Sequence, residues 1–384
     1  MILNNVKIVG ADKPVNIRIN GQKIVEISSS AVSDKSAPSQ ITFIRSTVFP
    51  GLINSHDHLD FNLFPQLGTE TYSNYTEWGS YIHKCYKDEI DQVLKIPVML
   101  RSRWGLYKNL LCGVTTVVNH GEPSGIKNDL INVFEKSHCL HSVQFEKNWK
   151  IKLNNPLKRG LPATIHVGEG NDNLSYKEID ELIQWNLLKK KLIGIHAVAM
   201  SEKQAKNFEA VVWCPQSNYF LLNKTAPINL LKKHTNILFG TDSTLTSSWD
   251  IWEHLRLARK GHLLADNELY KALNLNAANC WKLNSGEITP GRDADLIVVK
   301  TISATTSLGN FFETKPADIL LVVNKGNIRL FDESLLGELK AIELKRFSKI
   351  YINGAGKYVE GDLPGLMKDI RNYHSAAVFP ISAN

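Results

Sequence analysis

Val48-Phe49-Pro50-Gly51-Leu52-Ile53-Asn54-Ser55-His56-Asp57-His58-Leu59 reads as a β-strand ending on a pair of histidines. Side chains alternate between the two faces of a strand, so His56 and His58 point to the same side and can offer two imidazoles to one ion, while Asp57 points the other way. Taken alone, the pair is equally well two hydrogen-bonded polar side chains. Its meaning depends on what the rest of the chain brings beside it.

Downstream, residues 61–86 form a long aromatic-rich stretch without clear periodicity, containing Trp78 and His83, the pattern of a functional loop or lid. Residues 88–111 carry Ile90, Val93, Leu94, Val98 and Leu100 at helical spacing and predict a helix in spite of Pro97. Gly113-Val114-Thr115-Thr116-Val117-Val118-Asn119-His120 predicts a buried strand ending on a polar residue. The alternation continues with a helix near residues 128–136, strands at 141–145 and 163–167, and a helix at 175–185. A strand at 192–197, a helix at 202–208 and strands at 210–213 and 237–239 follow. Repeated units of this kind imply a parallel sheet, and about this many favour a closed (β/α)8 TIM barrel over an open doubly wound sheet. No Gly-x-Gly-x-x-Gly or Gly-Lys-Ser/Thr loop argues for a nucleotide-binding open sheet. Between residues 145 and 163 there is room for a strand around 149–153 but not for a usual helix, so one repeat is expected to be degenerate.

The two ends of the chain read differently. Short β-branched runs at residues 6–9, 15–19, 23–27 and 41–44, with the hairpin signal Asn20-Gly21, predict strands, and residues 28–40 a surface loop. Strands are again predicted at 295–300, 319–324, 327–331 and 349–353, then a helix at 363–373. The expectation is a small discontinuous β-sandwich domain with a C-terminal helix from residues 1–48 and 286–384, and a barrel from 49–285.

The 384 residues are 43% hydrophobic and 22% charged, ordinary for a globular enzyme. A net charge of +7 with scattered lysines, clustered only briefly as at Lys189-Lys190-Lys191, lacks the basic, aromatic-interleaved stripe of a nucleic-acid binder. There is no signal-peptide pattern and no apolar run of spanning length, so a cytoplasmic protein without membrane contact is expected. The five cysteines are widely spaced without a Cys-x-x-Cys pair, suiting reduced thiols. A homo-oligomer is left open.

Barrels gather their active-site residues at the carboxyl ends of the strands. His166 ends Ala163-Thr164-Ile165-His166, His196 ends Leu192-Ile193-Gly194-Ile195-His196, Asp242 follows Ile237-Leu238-Phe239-Gly240-Thr241, and Glu169 lies three residues beyond His166. Singly, each can be a polar strand end or a helix cap. Together with His56 and His58 they form a coherent candidate site.

In these pieces the chain resembles the amidohydrolase superfamily, within it the cytosine deaminase, S-adenosylhomocysteine deaminase and triazine hydrolase group. The matching segments are Pro50-Gly51-Leu52-Ile53-Asn54-Ser55-His56-Asp57-His58, Gly113-Val114-Thr115-Thr116, His166-Val167-Gly168-Glu169, His196, Cys214-Pro215-Gln216-Ser217-Asn218 and Gly240-Thr241-Asp242-Ser243. The tail from Gly286 to Val298 resembles the return to the small β domain.

The resemblance implies a metal-dependent hydrolase. His56, His58, His166 and Asp242 make a nitrogen-rich set for one divalent ion, zinc first and Fe(II) second. Such an ion brings a bound water close to neutrality in pKa, generating hydroxide without a strong base. By resemblance, Asp242 is both ligand and acceptor of the water's proton, His196 orients that water, and Glu169 shuttles protons to a ring nitrogen and to departing ammonia. No lysine stands where binuclear relatives carry a carboxylated one, which favours a mononuclear site. Trp78, His120 and Asn218, with Glu122 and Ser217, are candidate contacts for a flat small-molecule substrate. The reaction expected is hydrolytic deamination of a heterocyclic amine or cyclic amidine. Hydrolysis of a cyclic amide or a triazine-like chloride, and a catalytically silent barrel acting as a binding protein, stay open.

Overall fold

The computed structural model describes every residue except 12, 31–38, 123–124, 127–129, 303–305 and 384. The chain opens with β1 (Ile2–Lys7), β2 (Val15–Asn20), β3 (Lys23–Ser28) and β4 (Gln40–Pro50). Next come β5 (Leu52–Asp57), β6 (Val114–Asn119), β7 (Asn132–Phe134) and β8 (His138–Ser142). They are followed by β9 (Ala163–Val167), β10 (Leu192–His196), β11 (Phe208–Trp213) and β12 (Asn236–Phe239). The last strands are β13 (Leu296–Lys300), β14 (Ile319–Asn324), β15 (Asn327–Asp332), β16 (Phe347–Ile352) and β17 (Ala355–Glu360).

Strands from the two chain ends form one nine-stranded sheet in the order β16-β17-β15-β14-β13-β4-β1-β2-β3. Its junction is β4, parallel to β1 and antiparallel to β13, with Phe49 opposite Ile297 and Pro50 opposite Leu296. The stretch from Val48 to Leu59, read above as one strand, is therefore two strands in two sheets. The chain changes sheet at Gly51, whose N–H donates to Asp295 O at 2.8 Å, and β5 then pairs with β6.

The other eight strands, all parallel, run in two arcs, β5-β6-β7 and β8-β9-β10-β11-β12. Several are buried along their whole length, as parallel strands covered on both faces must be. The arcs adjoin at β5 and β12, where the Thr241 and Asp242 N–H groups both donate to His56 O at 3.1 Å. β7 and β8 share no ladder among the described residues. The result is a TIM-barrel-like arrangement that points the ends of β5, β6, β8, β9, β10 and β12 at one mouth.

Several local expectations change. Residues 61–86 are not irregular throughout: helix α1 (Tyr75–Cys85) carries Trp78 and His83, started by Asn74, whose side chain accepts from Thr76 and Glu77 N–H. Pro97 splits the helix expected at 88–111 into α2 (Lys87–Leu94) and α3 (Val98–Leu111) and stands as the N-cap of the second, since its missing N–H costs nothing at a helix start. Around 128–136 the described residues form the short strand β7, not a helix, with residues 127–129 outside the description. The strand expected at 141–145 lies three residues earlier, which puts His141 near its end. Residues 149–153, expected as a strand, form α4 (Trp149–Leu153). The shortened repeat is thus one unit earlier than expected: only residues 135–137 join β7 to β8. α5 (Asn173–Trp185) follows β9 as expected, as does the C-terminal helix Leu363–Tyr373. Most of the loop expected at 28–40 lies outside the described residues. All five cysteines are free. No described helix is long and apolar enough to cross a membrane.

Candidate active site

His56 and His58 leave β5 with their rings 4.9 Å apart, edge to face. His166, from the end of β9, brings its Nε2 to 3.1 Å from His56 Nε2. Asp242 Oδ1 stands 3.6 Å from both His56 Nε2 and His58 Nε2, beyond hydrogen-bond range. Ligand distances of about 2.0–2.2 Å to zinc separate neighbouring donors by roughly 3–3.5 Å. The donor atoms that gather at such spacing are those of His56, His120 and His166, and those of His56, His196 and Asp242, each set within 4.8 Å, with His58 reaching Asp242 at 3.6 Å.

Two features of the backbone hold them there. Gly240 is required by close approach, because a Cβ at that position would lie 2.7 Å from His56 Cβ. Asp242 has φ 58° and His196 φ 68°, left-handed conformations that non-glycine residues adopt rarely and that cluster at functional sites. The free Asp242 oxygen, Oδ2, accepts from Ser217 Oγ at 2.8 Å and Thr246 Oγ1 at 3.1 Å, which aims Oδ1 at the histidines.

Burial disfavours the charged form of three imidazoles: it lowers His56 to about 4 and holds His166 and His120 well below the usual histidine range, with charge on neighbouring histidines acting in the same direction. Burial would raise Asp242, but His56, then His196 and His58, outweigh it and hold the carboxyl well below its usual range. Neutral imidazoles around a carboxylate are the protonation state in which ligands bind a metal.

His196 lies at one side of this set, its Nε2 3.6 Å from Glu169 Oε1 and 3.9 Å from Asp242 Oδ2. Its Nδ1 donates to Asn218 Oδ1 at 2.8 Å, which fixes the tautomer and leaves Nε2 as an acceptor. Glu169 is held well above the usual carboxyl range, first by burial, then by Asp242 and Glu178.

These groups open into a cavity of about 440 Å³ lined by His58, His141, His166, Glu169, His196 and Asp242 at its floor and by Phe61, Tyr75, Trp78, Ile82, Phe145, Leu221 and Leu245 on its walls. Trp78 lines it and donates Nε1–H to Leu67 O at 2.7 Å. Asn218 is fully buried behind His196 and Glu122 is exposed; neither lines the cavity. His120 is buried and packs on the histidines, its ring 4.3 Å from that of His166 and 5.0 Å from that of His56, so it does not line the cavity either. Ser217 works through Asp242.

Sequence reasoning missed His141, Tyr75 and Phe145. A strand ending at Ser142 would have put His141 at the mouth, but the period-2 signal over so few residues does not set the register. It also missed the polar cluster behind β5. There the Asp57 carboxylate accepts from Lys108 Nζ (2.8 Å), Asn109 Nδ2 (2.9 Å), Asn54 Nδ2 (3.1 Å), Thr241 Oγ1 (3.2 Å) and Asn62 Nδ2 (2.7 Å).

Residues 151–329 match the amidohydrolase family. The chain is 23% identical over 388 residues to the 5-methylthioadenosine/S-adenosylhomocysteine deaminase of Pyrococcus horikoshii, covering 84% of this chain and 91% of that one. The match to the amidohydrolase family spans a little under half of the chain. Among solved structures, the chain is similar in fold to a zinc-bound adenosine deaminase from Xanthomonas campestris, with TM-score 0.68 and 14% identity over 97% of both chains. It is also similar to the zinc complex of atrazine chlorohydrolase from Arthrobacter aurescens TC1, with TM-score 0.65 and 16% identity over 85% of this chain and 94% of that one.

Proposed function

We propose that this protein is a metal-dependent hydrolytic deaminase of a heterocyclic amine or cyclic amidine. The observation that carries the reading is Glu169: a buried carboxyl, its Oε1 3.6 Å from His196 Nε2, at the floor of an aromatic-walled cavity, where burial pushes its pKa up. Hydrolysis of an amide or a ring chloride asks less of that carboxyl.

His56, His58, His166 and Asp242 would hold one divalent ion, zinc first and Fe(II) second. When bound, the ion supplies the Lewis acidity that brings a water's pKa close to neutrality. Asp242 is the acceptor for that water's proton. His196, locked by Asn218 with Nε2 unprotonated, orients the water by accepting a hydrogen bond. Glu169 gives its proton to the ring nitrogen of C(=N)–NH2 as oxygen adds to the carbon; the adduct's hydroxyl proton then passes through the Glu169 carboxylate to the amine as the C–N bond breaks and ammonia leaves, and the proton taken by Asp242 restores the Glu169 acid. Phe61, Tyr75, Trp78 and Phe145 supply flat apolar walls, which suits an uncharged heterocycle, and an adenine-type amine agrees with the named activity of the Pyrococcus relative.

The same reading takes the two arcs as one closed (β/α)8 barrel of residues 49–285, and the nine-stranded sheet as a small sandwich domain of residues 1–48 and 286–384. Five unpaired cysteines support a reducing, cytoplasmic setting.

The test is metal analysis together with ammonia release from adenine-type nucleosides, other purines, pyrimidines, pterins and cyclic guanidino compounds. One ion per chain and ammonia from at least one substrate are expected, both lost in His56→Ala. A protein without a bound ion that releases no ammonia overturns the reading in favour of a silent binding barrel.

A further inference from the structure

The four donors do not account for every imidazole at the centre. His120, at the carboxyl end of β6, is buried, and its Nε2 has no hydrogen-bond partner, whereas buried polar atoms are almost always paired. The hydrogen bond its ring does make runs to the His141 backbone, which leaves Nε2 as the free nitrogen. The donor atoms of His56, His120 and His166 all lie within 4.8 Å of one another, as do those of His56, His196 and Asp242. The two groups share His56. The unprotonated nitrogen of a neutral imidazole has one lone pair to give, so two ions cannot both draw on that nitrogen.

We propose that His120 is a further ligand of the same ion, which is held by five protein donors: His56, His58, His120, His166 and Asp242. The proposal rests on the reading of the site as a metal centre. It takes His120 out of substrate binding, agreeing with its place behind the cavity wall. With water as an additional ligand the ion becomes six-coordinate. Zinc favours four ligands or five, so the extra imidazole tilts the site toward ions that accept six, and imidazole donors suit iron and nickel as well as zinc.

The experiment compares the wild type with His120→Ala and His120→Asp, stripped by chelator and titrated with Co(II) and with Zn(II) against a competing chelator. Stoichiometry is read by elemental analysis, folding of the apo proteins by circular dichroism, and coordination by the visible absorption of Co(II), which strengthens as the coordination number falls. One ion per wild-type chain is expected, with its Co(II) dissociation constant raised about tenfold or more in His120→Ala, stronger Co(II) absorption, and a smaller loss for Zn(II) than for Co(II). His120→Asp, which keeps a donor, should recover most of the affinity; His120→Asn replaces His120→Ala should the latter fail to fold. Unchanged affinity and Co(II) spectrum without the imidazole, or two ions per chain, overturn the proposal and leave the four-donor reading standing. A wild type that binds no ion overturns both.

Discussion

Two buried polar clusters meet at the end of β5, and they are finished in opposite ways. Behind the strand, Asp57 is enclosed by Lys108, Asn54, Asn109, Asn62 and Thr241, and its carboxylate is fully engaged by donors from the protein itself. At the mouth, the ligand atoms of His56, His120 and His166 lie within 4.8 Å of one another, as do those of His56, His196 and Asp242, and His120 Nε2 has no partner. A buried polar group without a partner is costly. A cluster that leaves such a group among its neighbours' imidazoles is arranged for something other than its own stability, whereas the Asp57 cluster is arranged to hold the backbone that presents the first.

The largest expected effect separates chemistry from ligation within the mouth. Glu169→Gln should lower kcat about 10²–10⁴-fold while the metal content stays at that of the wild type; intact deamination in this variant breaks the assignment of Glu169 as proton shuttle. Next, Lys108→Met strips the charge partner from Asp57 and should cost about 3–5 kcal/mol in urea unfolding, because an unpaired carboxylate stays buried. Lys108→Met with Asp57→Asn should recover most of that loss. If the single and double variants unfold alike, the cluster behind β5 is not the support the comparison makes it.

The smallest effect concerns Glu178, which accepts from Gly168 N–H at 2.6 Å beneath the Glu169 turn. Burial raises its carboxyl from 4.5 to about 7, against hydrogen bonds from Gly168, Gln144 and Tyr75. The folded chain then keeps a proton that the unfolded chain releases, so stability is lost as pH rises from about 4.5 to about 7 and levels off beyond. Glu178→Gln should shrink the difference between urea midpoints measured at about pH 5 and about pH 8. An unchanged difference means that Glu178 ionises normally.

Much of the site was legible because strand ends carry it. His166, His196 and Asp242 each close an apolar run whose strand was readable, and the structure brings all three to the His56–His58 pair. Trp78, expected as a substrate contact on a loop, lines the cavity from a helix instead, because Asn74 as helix start was hidden in a polar, aromatic stretch. His120 and Asn218 were visible as polar residues near strand ends, yet only packing shows that one turns to the histidines and the other to His196. Lys108 was unreadable, since a lysine on a helix is ordinarily a solvated one.

What the sequence determined by itself is periodicity: alternating strands and helices, and histidines spaced to share one face of a strand, because both follow from the fixed repeat of the local backbone. The tertiary structure decided which of those groups meet. His56 and His166 are 110 residues apart and Asn54 and Thr241 are 187 apart, distances over which no local preference acts. Only the packing of parallel strands side by side sets which polar atoms find partners and which, like His120 Nε2, are left facing the centre.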